Sequence, residues 1–153
     1  MTKTLLLLLA GLAATAVPAQ PASAEPIEFL PVGTWTGLVK VSEDPPHESI
    51  LKFTASGKVC LTFGHPGEAT GTGTGTWQPA GYNRFTFQLT HDVYLPDGTL
   101  AAYVAVQHTA NQKRDKFSSS GDTQVTDPQG NPVRSGPSSI EATRSSYSTP
   151  HCP

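Results

Sequence analysis

Strict alternation of apolar and polar residues is the feature of this sequence that most limits its fold. Between residues 85 and 95, alternate positions hold Phe, Phe, Leu, His, Val and Leu, and the positions between them hold Thr, Gln, Thr, Asp and Tyr. Neighbouring side chains of a strand point to opposite faces, so this pattern predicts a strand with one buried face. No segment between Gly33 and Arg144 keeps an apolar 3.6-residue period for ten residues, which predicts no long helix.

Turn signals that contain glycine divide the alternating segments. Ser56-Gly57, Asp97-Gly98 and Gln129-Gly130-Asn131 each follow such a segment. Eight strands are predicted, at about 33–41, 47–54, 58–64, 70–77, 83–95, 99–110, 115–126 and 138–145. Because the connections are short, we predict an all-β fold, a single up-and-down antiparallel barrel of roughly eight strands.

The pairing of the fifth and sixth strands has two solutions. A two-residue turn at 97–98 would pair His91 with Val104 and Phe87 with His108. A three-residue turn with a bulge would shift the pairing by one residue. In that pairing the other face of the sixth strand, which carries Tyr103, Ala105 and Gln107, would point into the barrel.

The first 24 residues have the pattern of a secretory signal peptide. A basic Lys3 precedes an apolar run from Leu5 to Ala16, and Ala22-Ser23-Ala24 supplies the small residues of a cleavage site. We therefore expect a secreted protein with no membrane segment after cleavage. Beyond the signal we expect three segments: a lead-in at 25–32, the barrel domain at 33–145 and a C-terminal tail at 146–153.

Cysteine usage and charge fit an extracellular protein. Cys60 and Cys152 are expected to form a disulfide in an oxidising compartment, with two free thiols as the alternative. Without residues 1–24 the chain has nine basic and twelve acidic residues, a net charge of −3. Nucleic acids and anionic membranes attract basic surfaces, so neither is predicted as a partner.

Two short motifs resemble those of the calycin superfamily, which includes lipocalins, fatty-acid-binding proteins and avidins. Gly33-Thr34-Trp35 opens the first strand, and Arg144 ends the last strand after Ala142-Thr143. The resemblance implies a lipocalin-like barrel in which Trp35 and Arg144 close one end through a cation–π contact. The chain lacks the C-terminal helix of lipocalins and the several tryptophans of avidins. The layout also resembles small secreted barrel proteins of actinobacteria.

No motif points to catalysis, a metal or a cofactor. His91 and Asp92 are neighbours on one strand, so they face opposite sides and Asp92 does not orient His91 within the lumen. His91 and His108 would lie about 13 Å apart at ~3.3 Å per residue, too far to bind one metal ion. His47 and His65 are predicted to lie in loops. We predict no catalytic residues, metal site or cofactor.

The inward aromatic residues predict a binding function. Few charges are expected among them, which is typical of a pocket for a small, mostly apolar ligand. The predicted ligand contacts are Trp77, Phe85, Phe87, His91, Tyr103 and His108. One alternative is a lipocalin-like cyclase or isomerase acting on a hydrophobic natural product, with His91, Tyr103 or His108 as acid or base. Another is a solid barrel that binds a protein through its loops.

Overall fold

Eight antiparallel strands form a closed barrel in the computed structural model, which describes residues 30–42 and 44–153. They are β1 (Gly33–Val41), β2 (His47–Phe53), β3 (Lys58–Phe63), β4 (Gly71–Pro79), β5 (Arg84–Tyr94), β6 (Leu100–Lys113), β7 (Lys116–Thr126) and β8 (Pro132–Ser146). The predicted signal peptide and residues 25–29 of the lead-in lie outside the described residues. The described part of the chain contains no helix, and so none that could cross a membrane.

Each strand pairs with the next, and β8 returns to β1 to close the barrel. The predicted all-β, up-and-down architecture is therefore confirmed. The closing seam places Trp35 opposite Arg144 and Val39 opposite Ile140. Because the sheet has no free edge, every strand has a partner on both sides.

Three of the hairpins share one kind of turn. In the β5–β6 turn, Leu95 N–H donates to Thr99 O, and Gly98 N–H donates to Leu95 O. Gly98 has a φ of 83°, a conformation that glycine adopts without a side-chain clash. The same pattern of hydrogen bonds and positive φ recurs at Gly57 and Gly130, which are the predicted turn glycines.

The β5–β6 hairpin combines both of the predicted solutions. Its loop has three residues, which by itself would shift the pairing by one residue. A bulge opposite Val93 and Tyr94 leaves one extra residue on β6 and shifts the pairing back. The two shifts compensate, so His91 pairs with Val104 and Phe87 with His108. The pairing is the one expected from a two-residue turn, and Tyr103 faces outward.

Aromatic side chains fill the end of the barrel at which β1 begins. Phe53 is at the centre of this plug, with ring centroids 5.3 Å from Phe85, 5.6 Å from Phe87 and 6.0 Å from Phe117. Edge-to-face packing of this kind is the favoured arrangement of aromatic rings. We call this end, with its buried aromatic residues, the closed end.

Arg144 seals the closed end. Its guanidinium carbon lies 4.2 Å from the centroid of the Trp35 ring and 4.8 Å from that of Tyr147. The same side chain donates to Val32 O and to an Asp115 carboxylate oxygen, the latter at 3.2 Å. The cation–π contact implied by the resemblance is thus present, with hydrogen bonds that fix the guanidinium plane.

A disulfide joins Cys60 of β3 to Cys152 in the C-terminal tail, with their Cα atoms 5.7 Å apart. The predicted pairing is confirmed. Cys60 alternates with the inward residues Val59 and Leu61, so its side chain lies on the outer face of the barrel. It is nevertheless only 4% exposed. Disulfides of this kind are typical of oxidising compartments.

Candidate functional site

An apolar cavity occupies the open end of the barrel, opposite the aromatic plug. Its volume is about 190 Å³. Valine, leucine and isoleucine side chains from six strands form most of the wall: Val39, Leu61, Leu89, Val93, Val104, Val106, Val125 and Ile140. Alternation on each strand accounts for this wall, because the same positions that face inward at the plug continue to face inward here.

The rim of the cavity is charged, and its charges are paired. Arg134 forms an ion pair with Asp44, and their side chains are 50% and 43% exposed. The Arg134 guanidinium is the main cause that holds the pKa of Asp44 below its usual value. The mouth therefore carries a cation and an anion that neutralise each other, with no excess of either sign from this pair.

Two histidines flank Phe63 near the mouth. The His47 and His91 rings lie 5.2 Å and 5.4 Å from the Phe63 ring, centroid to centroid. Burial lowers the pKa of both imidazoles. The charge of Asp44 acts in the opposite direction at His47, and the hydrogen bond to the Asp92 backbone does so at His91. Both rings are therefore neutral near pH 7.

The hydrogen bond of His91 identifies its tautomer. Its Nδ1 lies 3.3 Å from the backbone oxygen of Asp92. A carbonyl oxygen only accepts, so Nδ1 carries the hydrogen in the neutral ring. The Asp92 carboxylate instead accepts from Tyr94 at 3.2 Å. The side chains of His91 and Asp92 thus lie on opposite sides of the sheet, as the alternation predicts.

His108 lies at the floor of the cavity, between the aliphatic wall and the plug. It is 2% exposed, and its ring centroid is 5.3 Å from that of Phe87. Gly121 of β7 lies directly opposite. A methyl group there would come within 1.9 Å of the Gln107 backbone oxygen and 2.7 Å of the His108 Cδ2, so glycine leaves room for both strand and imidazole. Burial lowers the pKa of His108 to about 4, with the charge of Asp122 acting the other way.

Two hydroxyl groups hydrogen-bond to His108, and a third extends the network. Its Nδ1 lies 2.9 Å from Ser119 Oγ, and its Nε2 lies 2.7 Å from Ser138 Oγ. Ser138 Oγ is in turn 2.6 Å from Thr123 Oγ1. We call these four residues the floor network. His108, Thr123 and Ser138 line the cavity, whereas Ser119 does not.

The structure divides the six predicted ligand contacts into three groups. Phe87, His91 and His108 line the cavity. Trp77 and Phe85 are buried in the aromatic plug and do not line it. Tyr103 was placed wrongly, because it lies on the outer face opposite Asp92 and is 42% exposed. His47, which was predicted to lie in a loop, begins β2 at the mouth.

Sequence reasoning missed the residues that make the site polar. Thr123 and Ser138 lie on strands rich in serine and threonine on both faces, so alternation did not separate inward from outward hydroxyls. Asp44 and Arg134 meet from positions 90 residues apart. To find Thr123 and Ser138 from the sequence, one would have needed the register of β7 and β8 relative to β6, the strand that holds His108.

Larger hollows lie on the outer face of the barrel. A groove of about 410 Å³ lies on the outer face of β4 to β7, where exposed threonine and glutamine side chains border it. Within residues 30–42 and 44–153, no three metal-binding side chains come together. Comparison with known proteins gives no match: no family model, curated protein or solved structure shows significant similarity to this chain.

Proposed function

We propose that this chain is a secreted barrel that binds a small, mostly apolar molecule in its open-end cavity. The observation that carries the proposal is the pairing of an aliphatic wall with a few polar groups at the floor and rim, a combination typical of ligand pockets. The disulfide supports an extracellular location.

The size of the cavity limits the ligand. A cavity of roughly 150 Å³ holds one benzene molecule, and pockets for drug-sized ligands begin at about 300 Å³. At about 190 Å³, this cavity suits a single six-membered ring with a short substituent, or a compact branched chain. Long acyl chains do not fit, because the aromatic plug fills the other half of the barrel.

We further propose that the barrel is a calycin. The closed meander of eight strands and the contact between Trp35 and Arg144 support this relationship. For the enzyme alternative, Tyr103 lies outside the barrel and meets no histidine of the lumen, which leaves His91 and His108 as its acid–base candidates in the cavity.

An NMR titration with α-methylstyrene tests the binding function. We expect the methyl signals of cavity residues such as Val104 and Ile140 to shift in a saturable manner. The variant Val125→Trp places a large ring at the mouth and should weaken binding at least tenfold. Gln124→Trp puts the same ring on the outer face one residue away and should leave binding unchanged.

The same titration can refute the proposal. Absence of cavity shifts in the wild type, or equal weakening by Val125→Trp and Gln124→Trp, would argue against a ligand in the lumen. Native mass spectrometry of the protein purified from its own culture medium would complement the titration, because a retained mass would reveal a bound molecule.

A further inference from the structure

The floor network has one more donor hydrogen than it has hydrogen bonds between its members. His108 is neutral near pH 7 and contributes one N–H, and Ser119, Thr123 and Ser138 contribute one O–H each. Three hydrogen bonds join these four side chains. Four hydrogens therefore serve three bonds, and one hydroxyl hydrogen has no acceptor within the network.

The tautomer of His108 decides where the spare hydrogen lies. If Nδ1 carries the hydrogen, it donates to Ser119, Nε2 accepts from Ser138, and the Ser119 hydroxyl is left over. If Nε2 carries it, Ser119 donates to Nδ1, and the spare hydrogen belongs to Ser138 or Thr123. Only the second arrangement offers a donor to the cavity, because Ser138 and Thr123 line it and Ser119 does not.

No positive charge is available at the floor to receive an anion. The side chains that line the cavity include one arginine, Arg134, which lies at the rim and is already paired with Asp44. A carboxylate buried against the floor would lose its hydration without gaining a cation, which is costly. The floor therefore suits an uncharged oxygen.

We propose that the ligand is an uncharged ring or branched compound with one carbonyl-type oxygen, which accepts a hydrogen bond from the Ser138–Thr123 hydroxyl pair. This inference rests on the proposed binding function and adds the chemical class of the ligand. Binding of such a molecule stabilises the arrangement in which His108 carries its hydrogen on Nε2. Ligand selection and the tautomer of a buried histidine are thereby coupled.

A pair of ligands with the same shape isolates the hydrogen bond. Acetophenone and α-methylstyrene differ only in that a carbonyl oxygen replaces a methylene group. Their transfer from water differs, so the informative quantity is the ratio of the two dissociation constants, compared between protein variants. That comparison removes the contribution of the solvent, because it is the same for every variant.

The double variant Thr123→Val/Ser138→Ala removes both hydroxyls that line the cavity. We expect acetophenone to lose about threefold to tenfold in affinity relative to α-methylstyrene, the usual effect of one neutral hydrogen bond. Ser120→Ala is the matched control, since it removes a hydroxyl from the exposed outer face of β7 and leaves the floor network intact. It should leave the ratio unchanged.

The tautomer gives a second readout that needs no variant. In wild-type protein saturated with acetophenone, the imidazole ¹⁵N shifts of His108 should report hydrogen on Nε2. Benzoate, which has a similar shape but a negative charge, should bind at least tenfold more weakly than acetophenone.

The outcomes separate this inference from the binding function. If both neutral ligands bind but their ratio is the same in the double variant, or if His108 carries its hydrogen on Nδ1 in the acetophenone complex, the carbonyl proposal is overturned. The binding function would then stand. If neither ligand binds the wild type, the binding function fails as well. Should the double variant not fold, the tautomer in the wild-type complex decides.

Discussion

His108 is a buried histidine whose protonation the barrel opposes. The imidazole is surrounded by Phe87, the aliphatic wall and neutral hydroxyls, and burial lowers its pKa to about 4. In the unfolded chain the same group has its ordinary pKa of about 6.5. As the pH falls below about 6.5, the unfolded chain takes up the proton first, so acid favours unfolding.

We expect this difference to lower the free energy of unfolding by about 3 kcal/mol between pH 7 and pH 4. Carboxylates also titrate in this range, so the measurement is a comparison of urea unfolding for wild type and His108→Gln at both pH values. The wild type should lose about 3 kcal/mol more than the variant. Equal losses would mean that the folded protein accepts a proton at His108 without penalty.

At the scale of single strands, β4 is built around glycines that face inward. A methyl group on Gly75 would lie 1.9 Å from the backbone oxygen of Gln88 and 2.5 Å from the Leu89 Cα, both on β5. A glycine within a strand often marks the close approach of a neighbouring group. The structure shows that at Gly75 the neighbour is the backbone of the next strand, which a side-chain rotation cannot relieve.

Gly75→Ala should therefore destabilise the barrel by about 3 kcal/mol or prevent folding, at the upper end of what overpacking usually costs. Thr74→Ala changes the adjacent residue of β4 on the exposed outer face and should alter stability by less than about 1 kcal/mol. Thermal or urea unfolding of the two variants compares them directly. A small effect of Gly75→Ala would imply that β4 can move away from β5.

Strand positions were predictable wherever one face is clearly apolar, and less so elsewhere. Alternation located β5 within a residue at each end. The pairing of β5 with β6 was left open, because β6 has small or apolar residues on both faces and its hairpin contains two compensating shifts. The start of β8 was placed at 138 instead of 132, since residues 132–137 are mostly exposed and carry no apolar alternation.

The candidate site was only partly predictable for a related reason. Phe87 and His91 followed from alternation alone, whereas His108 faced inward in only one of the two predicted pairings of β5 with β6. The positions of the Thr123 and Ser138 hydroxyls depend on the register of β6, β7 and β8. The ion pair of Asp44 with Arg134 depends on the pairing of β1 with β8. Local sequence patterns contain neither kind of information.

At the scale of the whole molecule, one covalent link closes a long loop. The disulfide joins residues 92 positions apart and ties the C-terminal tail to β3. Such a link stabilises a protein mainly by restricting the unfolded chain. The barrel itself is already closed by the pairing of β1 with β8, so the link adds stability without being needed for closure.

Replacing both cysteines, as Cys60→Ser/Cys152→Ser, should lower the free energy of unfolding by about 2–4 kcal/mol while leaving the far-ultraviolet circular dichroism unchanged. Wild type treated with reductant under the same conditions should match the variant. If the variant unfolds at the same urea concentration as the oxidised wild type, the link contributes nothing to stability.

The division of the barrel into a plugged half and a hollow half has an evolutionary consequence. Most of the buried aromatic area lies at the closed end, so substitutions among the valines of the mouth remove comparatively little of the core. We therefore expect substitutions at the mouth to be better tolerated than substitutions in the plug. If the proposed ligand binds at the mouth, exchanging a few mouth residues would change which ligand fits, and a protein engineer can follow that route.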